Sequence, residues 1–379
     1  MAIATYHCPA CGRDFAADRP LWRCECGGPL ELAPGRGLSK SDIAAGEASL
    51  WRYAAALVVA NPPRVSLGEG WTPLVRCDWQ GASVYFKLES QMPTGSFKDR
   101  GTAVMVNHLL DVGVGPIHED SSGNAGSSIA TYAAAAGIPC RIYVPNSAPR
   151  AKLVQIAAVG AEVRAIPGTR EAVTEAALAA GGGSFYASHN WHPYFIEGTQ
   201  TLGFELWEQL DFRLPDNILV PTGYGSNILG LERGFDALER AGEITARPRL
   251  FAVQAANCAA FAASWSAGAD GLVPFAAGPT VADGIATMHP IRPAQVLRAL
   301  RRSRGGVVPV AEDEIGPALR ALGRLGLFVE PTAATAAAAV GRLLRDGTIA
   351  PGEVTVVVLT GHGLKAAERI GELLGIFAE

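Results

Sequence analysis

The chain lacks any apolar run long enough to span a membrane, and it carries no block of like charge. Its formal net charge is −4. A membrane partner is therefore not expected, and neither is a nucleic-acid partner, which would call for a basic face. The first eleven residues lack a basic n-region and an apolar h-region, so a cytoplasmic location is the expectation. Seven cysteines, unevenly spread and odd in number, do not make a disulfide framework in a chain of this size. No repeat of solenoid period and no low-complexity tract is present. The dinucleotide fingerprint fails at Gly223-Tyr224-Gly225-Ser226-Asn227-Ile228, where Ile228 stands in place of the third glycine, and no Walker A pattern occurs.

Against these absences, residues 1–32 stand apart. Cys8-Pro-Ala-Cys11 and Cys24-Glu-Cys26 read as two knuckles of a zinc ribbon, with four thiolates suited to tetrahedral zinc. So small a unit has little core of its own and needs a staple. The second knuckle is Cys-x-Cys, shorter than the commoner Cys-x-x-Cys, and the alternative is a ribbon held by packing with reduced thiols. Residues 33–68 read as a linker with a helical pattern over Ser41 to Val59, stopped at Asn61-Pro62-Pro63.

From residue 69 short apolar runs alternate with helical patterns. Strands are expected at 84–88, 117–120, 141–144, 162–166, 185–188, 217–221, 249–254 and 354–360. Helices are expected between most of them, for example at 102–110, 125–136, 151–159 and 170–180. This alternation predicts an α/β fold on largely parallel sheets. Its 44 glycines and many alanines suit close helix–sheet packing.

Ligands bind such sheets at the carboxyl ends of the strands, and the distinctive residues fall there. Ser121-Ser122-Gly123-Asn124-Ala125 follows one strand and opens a helix, a backbone arrangement suited to a carboxylate. Thr222-Gly223-Tyr224-Gly225-Ser226-Asn227 follows another, with two glycines for close approach and a helix start that favours phosphate. Thr360-Gly361-His362-Gly363-Leu364-Lys365 follows the last strand. A fourth element, Pro93-Thr94-Gly95-Ser96-Phe97-Lys98-Asp99-Arg100-Gly101, places Lys98 just past a turn, where the helix fixes its direction. Each feature alone has a plain explanation: a turn, or a solvated lysine. Together they call for one phosphate, one carbonyl that reacts with an amine, and one carboxylate. Pyridoxal phosphate supplies the first two and an amino acid the third.

On those motifs, with Glu330-Pro331-Thr332-Ala333, the chain resembles the threonine synthase family of fold-type II pyridoxal-phosphate enzymes over nearly its whole length. The resemblance implies a tryptophan synthase β-like fold of two parallel-sheet lobes after the zinc-ribbon-like segment. Residues 69–100 and 201–379 would form the large cofactor-binding lobe, and 101–200 a small mobile lobe. It implies that Lys98 forms the Schiff base and moves protons and that Asn124 bonds the cofactor's 3′-oxygen. Gly223, Tyr224, Gly225, Ser226 and Asn227 would cradle the phosphate, and Thr360 would face the pyridine nitrogen. Ser121, Ser122, Gly123, Asn124 and Ala125 would hold the substrate carboxylate. A neutral threonine at the ring nitrogen makes a weaker electron sink than a carboxylate, compatible with elimination and replacement. A homodimer is also implied.

The chain departs from the family at His189-Asn190-Trp191-His192-Pro193-Tyr194-Phe195, where Phe195 stands in place of an expected arginine. A ring cannot replace a guanidinium fork on a phosphate. The expectation is elimination or replacement at the β or γ carbon of an unphosphorylated amino acid, with Asn190, His192 and Phe195 lining the substrate. The alternatives are threonine synthase proper, acting on O-phosphohomoserine, and a cofactor-binding protein without turnover. Asp99 and Arg100 are expected to be structural, and His362 to fix its loop.

Overall fold

The computed structural model describes residues 4–59, 62–148, 150–180 and 183–376, with the backbone alone at 150 and 151. Thirteen strands are present among them. In chain order these are β1 (Thr5–His7), β2 (Asp14–Ala16), β3 (Glu31–Leu32), β4 (Leu74–Trp79), β5 (Ala82–Lys87), β6 (Ile117–Glu119), β7 (Cys140–Pro145), β8 (Glu162–Ile166), β9 (Phe185–Tyr186), β10 (Asn217–Pro221), β11 (Arg249–Ala255), β12 (Gly306–Val310) and β13 (Thr355–Val358). The eight strands expected from sequence all form, within a residue or two at most ends. The chain divides into two compact units.

The first unit comprises the residues up to Gly70, Lys98–Thr201 and Asp236–Glu243. Its main sheet is four-stranded and wholly parallel, in the order β8-β7-β6-β9. A small antiparallel sheet, β2-β1-β3, carries the cysteine-rich segment. That segment has no core of its own. Tyr6, Cys8, Leu30 and Leu32 share one apolar cluster with Ala103, Met105 and Leu109 of the helix Lys98–Asp111. The Tyr6 hydroxyl meets Nε2 of His108 at 2.8 Å, and the His108 ring stacks on Tyr194 with centroids 3.7 Å apart.

The helical pattern at 41–59 is not realised as an α-helix. The described residues there form 3₁₀ stretches, Lys40–Asp42 and Leu50–Ala56. Between them Ala44 N–H donates to the Arg52 carbonyl at 2.9 Å, so the chain folds back on itself. Tyr53 then leaves helical backbone geometry. Of the apolar residues in that pattern, Leu50, Trp51, Tyr53 and Leu57 are buried, on a doubled-back strap.

The second unit comprises Trp71–Phe97, Leu202–Phe235 and the residues from Ile244 onward. Its sheet runs β12-β11-β10-β13-β5-β4, parallel except for β4. The two edge strands escaped the sequence reading. In β4 the burial is irregular and polar residues interrupt it. It joins β5 through Gln80-Gly81, both at positive φ (51° and 89°), the two-residue hairpin turn that matches strand twist. Strand β12 contains Pro309, which fits an edge position, and the Pro309 carbonyl accepts from Nη1 of Arg342 at 2.8 Å. The inner strands β10 and β13 are buried at every residue, as parallel strands covered on both faces should be. No helix among the described residues is long and apolar enough to cross a membrane.

Burial drives His108 down to about 3, so it is neutral in the folded chain. The unfolded chain protonates it below its ordinary 6.5. Its contribution is complete above that value and is lost as the pH falls toward 3. Replacement by His108→Gln should flatten the fall of the urea midpoint over that range. At neutral pH, Tyr6→Phe leaves a buried ring nitrogen without its hydroxyl, which should cost about 1–3 kcal/mol in the same measurement.

Candidate active site

In the second unit, β10, β13 and β5 are consecutive parallel neighbours. Their carboxyl ends deliver three loops to one edge of the sheet, at strand spacings of about 4.8 Å. From β10 comes 222–227, from β13 comes 359–365, and from β5 comes the turn that ends at Phe97. Backbone contacts join the last two. Phe97 N–H donates to the Thr360 carbonyl at 3.0 Å, His362 N–H donates to the Gly95 carbonyl at 2.9 Å, and Ser96 bridges Gly361. Lys98 is the next residue and opens the helix Lys98–Asp111.

The glycines are there for space. A Cβ at Gly223 would sit 3.0 Å from the Ile285 backbone, and one at Gly225, whose φ is 89°, would overlap Val296. A Cβ at Gly361 would fall on the Glu330 carboxylate. Several buried polar atoms at this edge have no partner among the described residues: both amide atoms of Asn227, Oγ1 of Thr360 and Oγ of Ser96. Leaving such atoms unmatched is costly unless a ligand meets them. His362 accepts from Leu364 N–H at 3.1 Å, as a residue fixing its loop should.

In the first unit, Ser121, Ser122 and Gly123 leave β6 and open the helix Asn124–Ala135, with Gly123 at its N-cap and no side chain capping it. Ser121, Ser122, Gly123 and Asn124 are half-buried and Ala125 is buried. Gly126 is required because a Cβ would occupy the Ser121 carbonyl oxygen. The helices Lys98–Asp111 and Pro193–Thr199 lie against each other through two glycines. A Cβ at Gly198 would strike the Arg100 carbonyl, and one at Gly101 would lie 2.5 Å from the Phe195 ring. Lys98 Nζ is 5.6 Å from the centroid of that ring. Asp99 is fully buried and accepts from Ser128 Oγ at 2.6 Å, while Arg100 Nη1 donates to Thr201 Oγ1 at 3.2 Å.

The aromatic run 189–195 is split by the fold. Trp191 packs edge-on against Trp22, and Tyr194 stacks on His108. His192 caps the helix Pro193–Thr199, its Nδ1 accepting from Tyr194 N–H at 3.3 Å. Phe195 turns toward Lys98, and Asn190 keeps a buried Oδ1 with no partner among the described residues. The sequence reading passed over Glu119, fully buried at the end of β6 and 2.8 Å from His189 Nδ1. The signal was available as His118-Glu119-Asp120, three ionisable residues in and after a short, wholly buried strand. It also passed over Arg170, which the fold brings to Asp120 at 3.1 Å.

In the β2-β1-β3 segment, the sulfurs of Cys8, Cys11, Cys24 and Cys26 all lie within 4.8 Å of one another. Two pairs are 3.5 and 3.6 Å apart, near the roughly 3.8 Å edge of a tetrahedron with 2.3 Å zinc–sulfur bonds. A hydrogen bond from Arg13 holds the Cys11 thiol down to about 6.

Residues 65–361 match the family model for pyridoxal-phosphate-dependent enzymes. The chain is 33% identical to the threonine synthase of Methanosarcina acetivorans, with 96% of this chain and 93% of that protein covered. It is also 33% identical to the threonine synthase of Methanocaldococcus jannaschii, with 96% and 94% covered. Among solved structures, a Rhizomucor miehei L-serine ammonia-lyase aligns with a TM-score of 0.68 at 23% identity, over 81% of this chain and 98% of that one. Maize serine racemase aligns at 0.67 and 23%, over 81% and 94%. The fold is therefore that of the fold-type II pyridoxal-phosphate enzymes. The chain is a pyridoxal-phosphate-dependent lyase and belongs to the threonine synthase family.

The glycine contacts give a testable packing relation. Gly101→Ala should cost about 1–3 kcal/mol by overpacking against Phe195. Phe195→Leu should recover part of that cost, giving a non-additive double-mutant cycle in denaturation experiments. Additive effects would mean that the two residues do not meet.

Proposed function

We propose that the chain catalyses elimination or replacement at the β or γ carbon of an unphosphorylated amino acid. The observation that carries the cofactor part is the arrangement of three loops on adjacent strand ends, with Lys98 leaving the third. The substrate part rests on Phe195, an uncharged ring beside Lys98.

The orphaned amide of Asn227 and hydroxyl of Thr360, with the glycine cradle at 223–225, suit the phosphate and ring of pyridoxal phosphate. When bound, that cofactor supplies an electron sink for the substrate's α-carbon. Gly223 to Asn227 would hold its phosphate through backbone N–H groups and the Asn227 amide. Thr360 would meet the ring nitrogen without a charge, and Asn124 the 3′-oxygen. The Lys98 amine would hold the carbonyl and carry the α-proton. The 121–125 turn would orient the substrate through its carboxylate, at a helix start with no side-chain cap. Phe195, packed on Gly101, would keep water from the Lys98 amine on its side.

A second reading, conversion of O-phosphohomoserine to threonine, is favoured by the name threonine synthase that the two relatives carry. The four clustered thiolates suit one structural zinc ion, with no open position for chemistry. A homodimer completes the reading and is checked by light scattering.

Purified protein should absorb in the visible, and borohydride or Lys98→Ala should abolish that band. A colourless protein that does not take up added pyridoxal phosphate would end this reading. In a panel of L-serine, L-threonine, L-2,3-diaminopropionate and O-phospho-L-homoserine, turnover should favour the unphosphorylated members. Fast phosphate release would favour the second reading instead. One equivalent of zinc should accompany the wild type and be lost in Cys8→Ser.

A further inference from the structure

Asp120 is buried and links the end of β6, at Glu119, to the 121–125 turn. Side chains from two other elements converge on it. Tyr186, on the neighbouring strand β9, donates from its hydroxyl to Oδ1 at 2.8 Å. Arg170 and Thr174 lie one turn apart on the helix Arg170–Ala179, and both reach Oδ2. The Thr174 hydroxyl does so at 2.7 Å and Nη2 of Arg170 at 3.1 Å. Arg170 Nη1 also donates to the main-chain carbonyl of Asp120. All of these residues lie in the first unit.

The bond to the carbonyl acts on the turn. A trans peptide is planar, and its carbonyl and N–H point in opposite directions. Holding the Asp120 carbonyl therefore holds the Ser121 N–H, and a cation on that carbonyl makes the N–H a stronger donor. The Ser121 and Ser122 N–H groups have no hydrogen-bond partner among the described residues, and no side chain caps the helix Asn124–Ala135. The other side of the turn is fixed separately. Ser127 N–H donates to the Gly123 carbonyl at 3.1 Å, and Gly126 leaves room for the Ser121 carbonyl. Donors already held in place bind a ligand without the entropy loss of ordering them. Charge acts in the same direction. The Asp120 carboxylate, one residue before the turn, would by itself repel a substrate carboxylate, and the Arg170 guanidinium offsets it.

We propose that Arg170 is a positioning residue for the substrate carboxylate. Through the Asp120 carbonyl it sets the Ser121 N–H, and through the Asp120 carboxylate it cancels a charge that would repel the ligand. This rests on the reading of 121–125 as the turn that holds the substrate carboxylate. A pair that served only to keep the helix Arg170–Ala179 on its sheet would affect ligands with and without a carboxylate alike.

The test uses the full-length holoprotein and reads apparent affinity from the change in its visible absorbance. L-Alanine is compared with ethylamine, which is the same molecule without the carboxylate. In Arg170→Gln, L-alanine should bind about tenfold more weakly, while ethylamine stays within about twofold of wild type. Arg170→Lys keeps the charge but not the two-pronged contact, so it should show a smaller loss, again confined to L-alanine. Arg170 keeps 42% of its side chain exposed, so these variants remove little packing, and Arg170→Lys carries the comparison if Arg170→Gln does not fold. Equal losses for the two ligands, or no loss for L-alanine, overturn the assignment while leaving the reading of the turn in place. A wild type that binds L-alanine no better than ethylamine overturns that reading and the assignment with it.

Discussion

The backbone seam between residues 95–97 and 360–362 is the constraint on which the rest of the site depends. It is made of main-chain groups, so it holds whatever the side chains do. Glycine makes it possible at both sides. Gly95 supplies a φ of 84°, and Gly361 leaves room for Glu330, whose N–H in turn donates to the Gly361 carbonyl at 3.0 Å. The end of β13 therefore fixes the turn that ends at Phe97. Because the seam uses backbone alone, the Ser96 and Thr360 hydroxyls are not spent on partners among the described residues.

Much of this was legible in the sequence because it is local. Strand ends followed by glycine and small polar residues announce loops, and buried parallel strands announce themselves as unbroken apolar runs, as in β10 and β13. What was not legible depends on partners distant in the chain. β4 and β12 are edge strands, and their composition follows what covers them rather than strand periodicity. The 41–59 segment has helical spacing, but within it Ala44 N–H turns to the Arg52 carbonyl, which spacing cannot show.

The site divides the same way. The turn and loop motifs were readable, since each needs its own residues in order. The 189–195 run was readable only as a composition. Its aromatic residues go to three separate neighbours, Trp22, His108 and Lys98, because a segment entering a short helix turns each side chain to a different side. Glu119 looked like part of a strand, and its partner lies 70 residues away. The loop motifs were therefore legible and the contacts between distant side chains were not, because a loop needs only its own residues in order.

Pro309 and Arg342 bear on a different matter, the outer edge of the larger sheet. A parallel strand turns the N–H and carbonyl of one residue to the same side. At Pro309 the carbonyl is taken by Arg342, and the N–H on that side does not exist. At that residue the border of β12 has neither donor nor acceptor to offer an extended segment from another chain. One proline and one arginine thus take a rung away from that edge, which makes it a poorer template for an added strand.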